Sequence, residues 1–204
     1  MRSGVAFYES HGFGRLRVMM AIVFELWAEC STEVERGTLV DHFDGFQCTL
    51  LTGRTISWRA FSTPGLPTAL TVHSDGLSNS GIKNLQHVLE TTESGLRLYH
   101  HLKIGPAFRF ARIALEAGCV PLMDLKDSVA PIAPGECRLE VECVVDDALY
   151  KELGSPQFCF PFRPGYWWTR YSGERYSPLH SNDQPGLNEL CRSLFPEYVK
   201  YWSP

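Results

Sequence analysis

The sequence predicts an α+β fold in one domain: a mainly antiparallel sheet with covering helices, patterned as two β-α-β-β units. Three observations predict it. Residues 21–30 (AIVFELWAEC) and 137–145 (CRLEVECVV) alternate with a period of two, as half-buried strands do. Residues 82–104 instead space Leu85, Leu89, Leu96, Tyr99 and Leu102 roughly three, four or seven apart, which is helical. Short glycine-containing links join neighbouring β-rich runs as hairpins, and helices over an antiparallel sheet are the layering such a chain adopts.

Taken in order, 21–30 places Phe24, Leu26 and Ala28 on one face and Glu25, Trp27 and Glu29 on the other. Ser31-Thr32-Glu33 offers an N-cap for a short helix that ends at Gly45. FQCTLL (46–51) and RTISWRAF (54–61) read as a hairpin across Thr52-Gly53. Pro64, Gly65 and Pro67 break the chain before a strand at 68–74. Gly95 divides the helical run 82–104 in two, with Ser94 capping the second half, and Gly105-Pro106 stops it. Residues 107–117 alternate as a strand, and 118–136, with three prolines and two glycines, read as loop. A strand at 137–145 and a short helix at 146–154 follow. FCFPF (158–162) and YWWTRY (166–171) then flank the turn Arg163-Pro164-Gly165, with Pro161 confining the first to a sheet edge or bulge. A helix opens near Asp183 and Pro185. The order β-α-β-β is read in 21–61 and again in 137–171, with negligible identity between the two.

A chain of 204 residues, 44% hydrophobic and 21% charged, buries a core without staples. No composition shift marks a linker, so 19–204 reads as a single α+β domain, with 1–18 a peripheral arm or an over-extended start before Met19-Met20. Seven cysteines, an odd number without a CxxC pair, fit reduced thiols and a cytoplasmic location. No apolar run approaches a membrane span, and the apolar segment 18–24, at the lower limit for a signal-peptide core, is ended by Glu25 with no small-x-small cleavage site after it. A net charge of -4 argues against bulk nucleic-acid binding.

Two segments carry candidate site residues. Residues 158–176 hold eight of the chain's 25 aromatics, with Arg163, Arg170 and Arg175 against one acid, Glu174. Trp167, Trp168, Arg170, Tyr171 and Arg175 suit a planar or anionic ligand (a base, nucleotide or sugar) held by stacking and polar contacts. Adjacent Trp167 and Trp168 point to opposite sides of a strand, so packing of one or both is the competing reading. Exposed aromatics of this kind also suit a homodimer interface or another protein partner. Residues 97–112 carry Arg97, Lys103, Arg109 and Arg112 with no acid, around His100-His101. Helix-end electrostatics explain such a run; an anion site explains it too.

No metal or cofactor is expected. Asp41, His42, Asp44, His73, Asp75, His180 and Asp183 lack ligand spacing, and GxSxG, P-loop and GxGxxG motifs are absent. The expectation is a soluble binding or interaction protein using the aromatic-arginine hairpin. The alternative is a small enzyme on a phosphorylated or nucleotide-like substrate, with His100 or His101 moving a proton and Arg97, Arg109 or Arg112 clamping the anion.

Overall fold

The computed structural model describes residues 23–74, 76–77, 81–174 and 185–197. Residues 1–18, Arg175, Asp75, His180 and Asp183 therefore lie outside the described residues. With strands and helices numbered in chain order, one seven-stranded sheet runs, edge to edge, through Cys159–Arg163 (β10), Tyr166–Thr169 (β11), Val144–Asp146 (β9), Phe110–Leu115 (β6), Phe24–Glu29 (β1), Ala69–His73 (β5) and Arg59–Ser62 (β4). Every neighbouring pair is antiparallel. Two small hairpins stand apart: Gln47–Thr49 (β2) with Thr55–Ser57 (β3), and Val129–Ala133 (β7) with Glu136–Leu139 (β8). The helices are Glu33–Phe43 (α1), Leu85–Lys103 (α2), Asp147–Glu152 (α3) and Pro185–Leu194 (α4). The α+β class is thus the observed one. No helix among the described residues is long and apolar enough to cross a membrane.

The period-two pattern of β1 builds both faces of the sheet. Phe24, Leu26 and Ala28 join Leu39 and Phe43 of α1, Leu96, Tyr99 and Leu102 of α2, and Phe195 in the larger core. Trp27 lies on the other face with Phe110, Val145, Leu125 and Leu149, under the 117–128 turns and α3. The acids beside Trp27 are used there. Glu25 accepts from the Gly118 N–H at 2.9 Å, and Glu29 accepts from Leu122 N–H at 2.7 Å and from the Trp27 indole at 3.0 Å. A strand expected to face solvent on one side is buried on both.

Local chemistry sets the ends of the helices. Thr32 caps α1 in a reciprocal capping box with Glu35, and Asn84 caps α2 through the His87 N–H. Three expectations differ from the structure. α2 is one continuous helix, because Gly95 is a point of close approach: a Cβ there would stand 2.7 Å from the Tyr171 hydroxyl. The run 137–145 divides between β8 and β9, which belong to different sheets, although Leu139 and Cys143 still face one cluster. Periodicity encodes the face of a strand, not its partner. Residues 118–136 hold 3-10 turns and β7 rather than loop alone. The hairpin expected across Thr52-Gly53 forms as β2–β3, and its second run continues into β4 of the main sheet. Pro161 sits in β10, an edge strand, beside a register shift between Pro161 and Arg163.

The Gly95 contact makes a test. Gly95→Ala adds about 1 kcal/mol of helix propensity, yet the methyl group meets a buried tyrosine. A net loss of about 1–3 kcal/mol is expected in urea unfolding, as for other overpacked cores; a stabilised variant would remove the close approach as the reason for glycine.

Candidate functional site

The hairpin β10–β11 is built around its turn. Gly165 adopts φ +81°, which its lack of a Cβ permits. The turn brings Arg163 back onto the carboxyl end of α2. Its guanidinium donates to the carbonyls of Leu102 (3.3 Å), Lys103 (3.4 Å), Gly105 and Pro106 (2.7 Å). It also lies 4.1 Å from the Tyr166 ring centre, and the Tyr166 hydroxyl accepts from the Phe108 N–H. A planar cation is well matched to carbonyls left open at a helix end. Arg163 is thereby a structural clamp.

The neighbouring tryptophans point to opposite sides. Trp168 is in the core, 5.3 Å from Tyr99 and 5.1 Å from Phe195, ring centre to ring centre. Trp167 is half-buried, stacked on Tyr150 at 4.4 Å, with its indole N–H donated to Asp147 Oδ1 at 2.6 Å. Around the turn lies a cleft of about 590 Å³ lined by Lys103, Asp147, Phe162, Tyr166, Trp167 and Glu197, together with Arg163 and two prolines. Lys103 pairs with Glu197, and burial draws the Lys103 ammonium below its ordinary pKa. Arg170 is exposed at the far end of β11 and does not line this cleft. Tyr171 is buried against Gly95 and donates its hydroxyl to Glu174 at 3.0 Å.

The basic stretch does not converge. Arg97 donates Nε and Nη2 to Glu93 on the same helix, and Arg109 reaches both oxygens of Glu152 at 2.7 Å. His101 is packed between the rings of His42 (4.0 Å) and Phe46 (3.9 Å). Each histidine of the pair places its Nε2 against the other's backbone carbonyl. Burial lowers the pKa of His101, and its placement is that of a packing group. His100 is exposed, edge-on to Phe195 at 6.2 Å, and does not line the cleft at the turn. Among the described residues no three His, Cys, Asp or Glu side chains gather to hold a metal.

Arg112 is placed differently. It projects from β6 into a second cleft, of about 490 Å³, shared with Glu140, Glu142, Ser172 and Glu174. Its Nη1 makes one long bond to the Ala117 carbonyl at 3.4 Å, and its Nε is buried without a partner among the described residues. Glu142 accepts from the Ser172 N–H at 3.0 Å and from the Ser172 hydroxyl. Burial pushes the Glu174 carboxyl up to about 7; the Tyr171 hydroxyl opposes the rise, Glu142 adds to it, and Arg112 opposes it. Glu142, Ser172 and Asp147 escaped the sequence reading because nothing in their spacing marks them. Glu174 stood out only as the lone acid of its segment.

Two outcomes test these assignments. Arg163→Ala strips four carbonyls of a charged donor, and a loss of about 2–3 kcal/mol is expected in denaturant unfolding, since hydrogen bonds to charged groups each contribute on that scale; a neutral result would show the clamp to be idle. For Glu174, a raised carboxyl pKa gives stability that is complete below the unfolded value near 4.5 and is lost as pH rises through about 7. Glu174→Gln cannot ionise, so its stability relative to the parent should improve steadily from pH 4.5 to 7.5 in thermal unfolding; a difference independent of pH would contradict the raised value.

No protein-family model, no curated protein and no solved structure matches this chain.

Proposed function

We propose that this chain is a binding protein that takes a ring-bearing ligand, a sugar or a nucleobase, in the cleft at the β10–β11 turn. One observation carries the reading: half-buried Trp167, braced by Tyr150 and Asp147, lines an apolar-walled cleft together with Tyr166. The size suits a small molecule. An indole fixed by a stack and a hydrogen bond loses little freedom when a ring settles against it. Asp147 and the Lys103 ammonium supply polar groups in the lining for hydroxyls or ring nitrogens. The charge of Lys103 is already met by Glu197, which favours a ring over a bare phosphate. Binding is preferred to histidine chemistry because His101 is held in a ring stack away from this cleft.

A thermal-shift screen of nucleosides, nucleotides, monosaccharides and sugar phosphates tests the reading. A ligand at a hundred times its Kd stabilises by about 2.7 kcal/mol, roughly 5–10 °C for a chain of this size. Trp167→Ala should abolish that shift and Trp167→Phe should keep part of it. No shift from any compound, or a shift indifferent to Trp167, would overturn the proposal.

A further inference from the structure

We propose that the cleft between β6 and residues 172–174 is a second ligand site, which binds a small zwitterion, an α-amino acid, with its carboxylate on Arg112 and its ammonium facing Glu142 and Glu174. The argument begins with Arg112. A guanidinium carries five N–H donors in a fixed fork. In this half-buried setting it makes one long hydrogen bond, and its Nε is a buried donor without a partner among the described residues. Arg97, Lys103 and Arg109 in the same stretch each meet a carboxylate, whereas Arg112 forms no ion pair among the described residues. A buried Nε donor without a partner costs stability unless something else meets it, and a planar carboxylate fits the guanidinium fork.

The rest of the wall determines what that partner can be. Glu142 and Glu174 line the cleft, with Glu140 at its exposed margin. A phosphate or a plain carboxylate seated on Arg112 would face these acids. A plain amine drawn to the acids would face Arg112. A molecule carrying both charges meets both walls with complementary sign. The carboxylates do not gather closely enough to hold a metal. Burial and the neighbouring Glu142 raise the Glu174 carboxyl to about 7, and an arriving ammonium would favour its ionised form. Ser172, whose N–H and hydroxyl both hold Glu142, fixes one of the two acids in place. This cleft is distinct from the one at the hairpin turn. The two clefts share no lining residue.

Isothermal titration of the full chain with each of the twenty proteinogenic amino acids tests the site. For any that binds, the decarboxylated amine and the deaminated acid are titrated in parallel. At least one amino acid should bind with a submillimolar Kd, and each single-charge analogue should bind at least tenfold more weakly. Arg112→Gln and Glu142→Gln should each weaken binding tenfold or more, while Trp167→Ala leaves it unchanged. Backbone amide NMR shifts on the unmodified chain should cluster at 112, 142 and 172–174, which locates the site even if a variant folds poorly. Absence of binding, equal binding of the single-charge analogues, or shifts centred elsewhere would each overturn the proposal.

Discussion

The burial of α2 through its middle turns is the constraint that the rest of the structure answers. Glu90, Thr91, Thr92, Glu93 and Ser94 are all buried there, although none is apolar. Polar groups removed from water cost stability unless they find partners within the protein, and of these five only the Ser94 hydroxyl has none among the described residues. Glu90 takes Arg54, Glu93 takes both Arg97 and the Leu51 N–H, and the Thr92 hydroxyl accepts from the Glu174 N–H. The β2–β3 hairpin and the chain after β11 are therefore fastened to the same turn of one helix. At its carboxyl end the open carbonyls are met by Arg163, which fastens the β10–β11 turn as well. One buried helix thus sets the position of both candidate clefts.

Much of this was legible in the sequence where chemistry is local. The Thr32 cap, the turn at Gly165, the edge character of Pro161 and the alternation in β1 and β6 all depend on residues within a few positions of one another. What failed was information held at long range. Gly95 looks like a helix breaker until Tyr171, 76 positions later, lies against it. The run 137–145 looks like one strand because its alternation is continuous, yet its backbone changes partners midway. The candidate sites follow the same division. The aromatic segment was visible, and the opposed directions of Trp167 and Trp168 follow from strand geometry. Which indole reaches a cleft depends on Tyr150, Asp147 and Phe195, and no spacing rule links those residues to the hairpin.

Charge behaves similarly. A stretch of sixteen residues with four cations and no acid looks like an anion surface on paper. In the fold, acids from α2, α3 and the segment after α4 neutralise three of those cations. The His101 imidazole is occupied as an aromatic plate. Only a residue left over from this pairing can attract a charged ligand, and which residue is left over is a property of the tertiary structure. The cysteines show the same logic: burial pushes Cys30 and Cys143 up to about 12, so these thiols behave as apolar filling.

The ends of the seven-stranded sheet bear on how copies of the chain behave at high concentration. β10 ends the sheet with a proline that has no N–H to offer and a shift in register beside it. β4, at the other end, is four residues long, and the Asp44 carboxylate already accepts from the Ala60 N–H. Neither margin presents a long flat row of unpaired backbone groups to a neighbour. Growth of this sheet by adding strand upon strand, the route to fibrils, is blunted at both margins.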